Sequence, residues 1–226
     1  MKVKKIKIFL GVLTALIIIS LISIWLSYNW LTVSNFTVKS SRIKQSFRIV
    51  LLSDLHNHEF NDENKRLIEK VKEQSPNLII LDGDMINRDS KNASVAVDLI
   101  KSLKGIAPVY YSLGNHEIDY IKKTGHSNLI QTLENAGTTV LNNRILDIKI
   151  KGNSIRLGGL YEYGFETSMQ SDEENKRAIS YLEKYTDIQS YMIMCAHRPD
   201  SFYPWNTADK WGIDLVLSGH LHGGQV

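Results

Sequence analysis

The stretch Phe47–His58 reads FRIVLLSDLHNH, an apolar run of strand length that ends in the polar pair Asp54 and His56. Two later runs end in the same way: NLIILD at Asn77–Asp82 and PVYYSL at Pro108–Leu113 are each followed at once by glycine and polar residues. Short apolar runs bounded by Gly, Pro, Asn and Asp are typical of buried strands. The sequence therefore predicts a sheet whose strands carry polar side chains at their carboxyl ends.

Helix-like stretches separate these runs, which is the alternation of an α/β protein. The pattern then changes to a hairpin about Lys151-Gly152-Asn153, followed by one more helix and two more apolar runs. The fold class predicted from the residues is α/β. The predicted helices lie at about Asn64–Gln74, Ala93–Lys104, Ser127–Ala136 and Asp172–Lys184, and the predicted later strands lie at Ile145–Ile150, Ser154–Leu160, Tyr191–Ala196 and Asp214–Leu217.

Five of the predicted strands end in side chains that commonly bind metals. In a parallel sheet these ends lie along one edge, where open α/β sheets bind their ligands. Side chains two apart at a strand end face the same way, so Asp54 and His56 can serve one site together, and the same holds for His220 and His222. Five of the 7 histidines fall in this pattern, which chance does not readily explain. The strand-end residues are Asp54, His56, Asp84, Asn115, His116, His197, His220 and His222.

These residues, in their order along the chain, resemble the calcineurin-like metallophosphoesterases from about Phe47 to the C-terminus. The resemblance implies a four-layer α/β/β/α sandwich of mixed sheets flanked by helices. The ending Gly219–Gln225 is also similar to a membrane-linked branch of UDP-2,3-diacylglucosamine hydrolase-like phosphoesterases. In the family the chain continues past this ending, so we expect further C-terminal strands beyond Val226. The motifs that carry the resemblance are Asp54-x-His56, Gly83-Asp84, Gly114-Asn115-His116-Glu117, His197 and Gly219-His220-x-His222.

The resemblance implies a site for two divalent metal ions. Imidazole, carboxylate and amide ligands without thiolate favour Mn²⁺, Fe or Zn²⁺ over Mg²⁺ or Ca²⁺, and Mn²⁺ is our first choice. Two such ions about 3.5–4 Å apart can share a water, lower its pKa to about 7 and clamp both oxygens of an in-line displacement at phosphorus. In this assignment Asp54, His56 and His222 hold the first ion, Asn115, His197 and His220 hold the second, and Asp84 bridges them.

Three further residues are candidates for catalysis. His116 is adjacent to a ligand but is not one itself, so it is free to donate a proton to the leaving oxygen. Glu117 is then expected to orient that imidazole. Arg198 directly follows His197 and is a candidate for holding a phosphate oxygen, with an ordinary surface arginine as the alternative. Asp82, by contrast, is expected to face away from Asp84, because neighbouring side chains on a strand alternate.

The N-terminus predicts a membrane anchor. The stretch Ile8–Ser27 carries no charge, and about 20 residues at roughly 1.5 Å each span one hydrocarbon thickness. An uncleaved signal anchor is our interpretation; a buried core helix and a cleaved signal peptide are the alternatives. The positive-inside rule then keeps the four lysines among the first seven residues in the cytoplasm and places the catalytic domain outside. The predicted organisation is an anchor over residues 1–30, a tether over 31–46 and a phosphoesterase domain over 47–226.

Composition excludes several other classes of protein. Of the 27 Lys and Arg residues, four lie at the N-terminus, which leaves 23 against 24 Asp and Glu, so the body offers no basic surface for nucleic acid. A single Cys excludes a disulfide framework and a Cys-based zinc or iron–sulfur site held by this chain alone.

The predicted function is a membrane-anchored phosphoesterase that hydrolyses a phosphomonoester, phosphodiester or pyrophosphate by attack of a metal-bridging hydroxide. Its substrate is expected to be a phosphorylated small molecule or a lipid-linked compound. The alternatives are a catalytically silent metal-binding scaffold of the same fold and a metal-storage or metal-sensing domain. The complete set of seven ligands favours the enzyme, because a degenerate site should have lost at least one of them.

Overall fold

The computed structural model describes residues 2–123, 125–160, 172–186, 189–203 and 207–222. The chain divides into two compact units, Met1–Thr37 and Val38–Val226. Among its described residues the first unit contains one helix, α1 (Lys2–Asn29). The most apolar window of this helix has a mean hydropathy of 2.6, and 0% of that window is buried inside the protein. The alternative of a buried core helix is therefore wrong. The helix is long and apolar enough to cross a membrane, and a signal sequence would pass the same test.

The described part of the second unit contains two four-stranded sheets. Their strands are β1 (Ile49–Leu52), β2 (Leu78–Asp82), β3 (Val109–Ser112) and β4 (Thr139–Val140), then β5 (Ile145–Ile150), β6 (Asn153–Gly159), β7 (Tyr191–Cys195) and β8 (Leu215–Leu217). The first sheet has the order β1-β2-β3-β4 and is parallel throughout. The second has the order β5-β6-β7-β8: β5 and β6 form the predicted antiparallel hairpin, and β6, β7 and β8 run parallel.

Helices alternate with these strands, and every helix predicted from the sequence is present. The sequence pattern missed the helix that starts at Asn115, because Gly114–Glu117 was interpreted only as a polar strand end. The helices of this unit are α2 (Lys65–Glu73), α3 (Ser94–Leu103), α4 (Asn115–Lys122), α5 (Leu129–Ala136), α6 (Asp172–Tyr185) and α7 (Thr207–Lys210), with 3₁₀ turns at Asp62–Asn64 and Pro199–Ser201.

The two sheets pack face to face. Leu78 and Ile80 of β2 lie in one buried cluster with Ile155 of β6 and Ile193 of β7. All five residues of β2 are buried, so its opposite face is covered as well. A second buried cluster packs α6 against the outer face of β7. The sheets are therefore flanked by helices, as the resemblance implies.

The chain joins this unit before the predicted boundary at residue 47. Arg42 forms an ion pair with Asp214, next to the start of β8. The Asn153 side chain accepts hydrogen bonds from the N–H groups of Lys44 and Gln45 and donates one to the carbonyl of Gln45. Part of the predicted tether is thus fixed to the hairpin. The further strands expected after β8 stay a prediction, and residues 223–226 lie outside the described part of the chain.

Candidate metal centre

The carboxyl ends of β1, β2, β7 and β8 bring the predicted ligands together. Three groups of ligating atoms form, in each of which the atoms lie within 4.8 Å of one another. The first two contain only residues of the assignment implied by the resemblance, without Asn115, and the third adds His116; the assignment to two ions stays a prediction. The groups are Asp54, His56 and His222; Asp84, His197 and His220; and His56, Asp84 and His116.

Asp84 belongs to two of these groups and is 2% exposed. Its Oδ2 atom is 3.2 Å from His197 Nε2 and 4.0 Å from Nε2 of both His56 and His116. Its Oδ1 atom accepts a hydrogen bond of 2.8 Å from the backbone N–H of His116. One carboxylate is therefore positioned to serve two of the ligand groups at once.

Asp54 links the ends of β1 and β8. Its carboxylate accepts hydrogen bonds of 3.0 and 3.1 Å from the backbone N–H of His220 and lies 3.4 Å from His222 Nε2. His222 Nε2 is in turn 3.2 Å from Nε2 of His56. The first predicted ligand set therefore converges from two different sheets.

The backbone is strained where these ligands sit. Five of them adopt positive φ angles, a region that costs non-glycine residues on the order of 1–3 kcal/mol each. Such strain persists only where the surrounding structure enforces it, and it clusters at functional sites. The residues are Asp54 (φ 56°), His56 (φ 49°), Asp84 (φ 52°), His220 (φ 71°) and His222 (φ 44°).

The donor atoms fit divalent cations. Among the described residues, Oδ1 of Asn115 is buried and has no hydrogen-bond partner, as expected of an atom that awaits a ligand. The Nδ1 atom of His197 lies 2.6 Å from the backbone carbonyl of Asp82, which can only accept, so Nδ1 carries the proton. The Nε2 atom of His197 is therefore the one that faces Asp84, as in a metal-binding histidine oriented by a backbone carbonyl.

The charges of the site are strongly coupled. Burial opposes a charge on His197, but the Asp84 carboxylate 3.2 Å from its Nε2 and the Asp82 carbonyl and carboxylate together outweigh burial and raise the pKa of His197 to about 9. Burial alone would raise the pKa of Asp84, yet its bonds to His197 and to the His116 N–H hold that pKa below its ordinary value. For His56, His116 and His220, burial lowers the pKa and favours the neutral imidazole that binds metals.

Glu117 does not orient His116, contrary to the prediction. Both residues lie on α4, where successive side chains point about 100° apart because a turn holds about 3.6 residues. Glu117 is instead fully buried, and its carboxylate accepts four hydrogen bonds from other groups. The donors are the backbone N–H groups of Asp84, Ile86 and Gly114 and the hydroxyl of Tyr111.

Through these bonds Glu117 clamps the loop after β2 to the loop after β3. Burial and the nearby Asp84 raise the pKa of Glu117. Glycine is required where the loops touch, since a Cβ on Gly114 would lie 2.3 Å from Oδ1 of Asp84. Glu117 thus positions the backbone of the central carboxylate.

Arg88, which the sequence pattern did not single out, also contacts the His116 ring. Its Nη2 atom lies 2.9 Å from Nε2 of His116, and its backbone N–H donates to Nδ1 at 3.2 Å. Asp119 holds the other end of the guanidinium at 3.1 Å. The sequence signal that could have identified Arg88 is its position four residues after Asp84, on the same loop.

Arg198 and Asp82 lie beside the centre. The guanidinium of Arg198 donates to both carboxylate oxygens of Asp200 at 3.1 and 3.0 Å. Its predicted contact with a phosphate oxygen stays a prediction. Asp82 is outside the three ligand groups, and burial raises the pKa of Asp82 to about 7.

Comparisons with known proteins point to one family. The sequence profile of the calcineurin-like phosphoesterases matches residues 47–224. The chain is 32% identical over 186 residues to the phosphodiesterase YaeI of Escherichia coli, which covers 80% of this chain and 62% of that protein. It is 27% identical over 195 residues to an uncharacterised metallophosphoesterase of Campylobacter jejuni, covering 81% of this chain and 46% of the relative. The chain thus spans between about half and just under two thirds of these relatives.

Solved structures agree at the level of the fold. The phosphopantetheinyl hydrolase of Mycobacterium tuberculosis superimposes with a TM-score of 0.52 at 15% identity, covering 77% of this chain and 83% of that one. A Thermus thermophilus protein, TT1561, superimposes with a TM-score of 0.51 at 13% identity, covering 76% of this chain and 81% of that one.

Replacing Glu117 by Gln should destabilise the domain. A side-chain amide cannot accept from all four donors, and each orphaned buried group costs about 1–3 kcal/mol. We expect the free energy of unfolding, measured by urea denaturation in detergent, to fall by about 2–4 kcal/mol. The matched control is Glu134→Gln, which removes an ion pair with Arg144 at the surface and should change stability by less than about 1 kcal/mol. Equal stability of Glu117→Gln and wild type would contradict the clamp.

Metal binding should release a proton from His197. The imidazole must be neutral to bind a cation, and its pKa of about 9 means that it is charged at pH 7. Affinity at this position should therefore fall roughly tenfold per pH unit below about pH 9 and level off above it. Calorimetric titration with Mn²⁺ in buffers of different ionisation enthalpy measures the released proton directly. Affinity that stays constant between pH 7 and 9 would show that His197 is not charged in the metal-free protein.

Proposed function

The chain belongs to the calcineurin-like phosphoesterase family, and from this premise we propose that it is a membrane-anchored phosphoesterase that uses two divalent metal ions. The observation that carries the proposal is the position of Asp84, which lies in one ligand group with His56 and in another with His197 and His220. All seven residues of the ligand set implied by the resemblance are present, which supports catalysis over a silent scaffold. Phosphomonoesters, phosphodiesters and pyrophosphates are the substrate classes that this chemistry serves.

The proposed ligands divide between two positions. Asp54, His56 and His222 would hold one cation, and Asn115, His197 and His220 the other, with Asp84 between them. Mn²⁺ is the proposed metal, and Fe or Zn²⁺ would suit the same nitrogen and oxygen donors. When bound, such a pair supplies the Lewis acidity that activates a water and neutralises charge on the phosphoryl group.

The chain's own residues would handle the leaving group. His116 is outside the proposed ligand set, and burial lowers its pKa, which makes its protonated form a stronger acid toward a leaving oxygen. Arg88 lies against the same ring with 46% of its side chain exposed, so its charge is accessible to a phosphoryl oxygen. Arg198 is the second proposed cationic contact, because it directly follows His197.

A lipid-linked substrate is the finer part of the proposal. It is supported by the candidate membrane helix at Val3–Asn29 and by the similarity of Gly219–Gln225 to UDP-2,3-diacylglucosamine hydrolase-like phosphoesterases. The lysines at the N-terminal end of the helix would stay in the cytoplasm, with the phosphoesterase domain on the other side. A soluble phosphorylated compound is the other outcome of the substrate test.

Activity should depend on metal and on the charge of Asp84. The full chain, purified in detergent with Mn²⁺, should hydrolyse bis-p-nitrophenyl phosphate, p-nitrophenyl phosphate or a pyrophosphate in a panel that also contains a UDP-linked lipid. Asp84→Asn should lose one bound metal and nearly all turnover, because it removes the shared charge. Asp89→Asn is the matched control, because Asp89 lies on the same loop but has an 82% exposed side chain; this variant should keep both bound metals and its turnover. Full turnover and metal content in Asp84→Asn would contradict the two-metal proposal.

His116 and His197 should fail in different ways. His197→Ala should lower the metal content, whereas His116→Ala should keep it and slow turnover by roughly 10²–10⁴ with poor leaving groups. An aryl leaving group, which needs no proton, should partly rescue His116→Ala. Metal analysis and leaving-group series on both variants make the comparison, and equal metal loss would show that His116 is a ligand.

The topology can be tested with protease. Protease added to right-side-out vesicles should digest the domain from about residue 31 onward and leave the lysine-rich end protected. Release of a soluble, active domain without residues 1–30 during normal growth would instead indicate a cleaved signal peptide.

A further inference from the structure

The Ser53 side chain contacts several residues of the site, and the roles assigned so far do not include it. It follows β1 directly and precedes Asp54. Its hydroxyl oxygen is 2.7 Å from Oδ2 of Asp54, 2.9 Å from the backbone carbonyl of Asp82 and 3.5 Å from Nδ1 of His197. One small side chain thus touches residues that follow or end three strands.

The hydroxyl has a single proton, and the geometry indicates where it goes. The Asp82 carbonyl already accepts from His197 Nδ1 at 2.6 Å. The carboxylate of Asp54 is a charged acceptor, and a distance of 2.7 Å is typical of a charge-assisted O–H···O⁻ bond. Ser53 therefore shares its proton in a three-centre hydrogen bond, in which the Asp54 carboxylate is the stronger acceptor and the Asp82 carbonyl, which also orients His197, is the weaker one.

The rest of the surroundings hold this arrangement in place. Asp54 has a φ of 56°, and its carboxylate also accepts from the backbone N–H of His220. The loop after β8 passes so closely that a Cβ on Gly219 would lie 1.8 Å from the Ser53 hydroxyl and 2.7 Å from Oδ2 of Asp54. The carboxylate is thus confined between a side-chain hydroxyl and the backbone of the loop that carries two histidines.

We propose that Ser53 is a positioning residue, whose hydroxyl fixes the Asp54 carboxylate toward the first cation position and couples it, through the Asp82 carbonyl, to His197 of the second. This inference rests on the proposed two-cation function. Hydrogen bonds that orient a metal ligand typically account for a 10–100-fold difference in metal affinity. The Ser53 hydroxyl should have an effect of this size, and it should act on the position of Asp54 more than on that of His197.

The test is Mn²⁺ binding to the full-length Ser53→Ala protein in detergent. Electron paramagnetic resonance, followed during Mn²⁺ titration, distinguishes a coupled ion pair from single bound ions. In the variant we expect the coupled signal to require roughly 10–100-fold more Mn²⁺, while a single ion still binds at the position of His197 as in wild type. Turnover should return toward the wild-type value once both positions are saturated, because Ser53 does not touch the reacting atoms.

The matched control is Ser112→Ala. Ser112 is fully buried at the end of β3, and its hydroxyl lies 3.5 Å from the carbonyl of Cys195. Ser112→Ala also removes a hydroxyl oxygen at the end of a strand in the first sheet, but this hydroxyl does not contact a proposed ligand. The Mn²⁺ titration should therefore be unchanged. An equal loss of Mn²⁺ affinity in Ser53→Ala and Ser112→Ala would overturn the positioning role. An unchanged coupled signal in Ser53→Ala would also overturn it. Wild-type protein that shows the coupled pair but no phosphoesterase turnover would contradict the proposed function and leave the Ser53 comparison intact, since that comparison depends on metal binding alone.

Discussion

The position of one buried carboxylate, that of Asp84, is the constraint on which the rest of the site depends. A charge buried to this degree is stable only when groups around it compensate for the lost water, and Asp84 receives a backbone N–H from His116 and faces the imidazole of His197. The backbone of Asp84, with its φ of 52°, is held by Glu117, whose carboxylate accepts hydrogen bonds from the N–H groups of Asp84 and Gly114. A second buried carboxylate therefore holds the first in place.

The architecture explains how ligands so distant in sequence meet. Asp54, Asp84 and Asn115 follow strands of the first sheet, whereas His197 and the two histidines after β8 come from the second. The site thus lies where the carboxyl ends of two sheets adjoin, and the apolar cluster between the sheets fixes their relative position. A change of packing in that cluster would move the ligands of one sheet against those of the other within both sets, so the packing of the core affects the geometry of the site.

The sequence predicted which residues converge at the site because their signal is local and periodic. Each follows an apolar run of strand length, and parallel strands must place their carboxyl ends at one edge. The supporting residues carry no such signal. Glu117 binds backbone groups 31 and 33 residues away, and Ser53 contacts the last residue of β2 and the histidine after β7. Their partners are defined only by the tertiary fold, so proximity in sequence wrongly paired Glu117 with His116. The helix α4 was missed for a related reason, because the motif Gly114–Glu117, a glycine followed by three polar residues, was interpreted only as a strand end.

The central claim is that two cations are bound on either side of Asp84. Anomalous X-ray diffraction from crystals of the protein grown with Mn²⁺ tests it most directly, because it locates the metal without assuming its ligands. Two anomalous peaks about 3.5–4 Å apart, one beside Asp54, His56 and His222 and the other beside Asn115, His197 and His220, are the predicted result. A single peak, or a peak coordinated by His116 in place of the Asn115 oxygen, would contradict it.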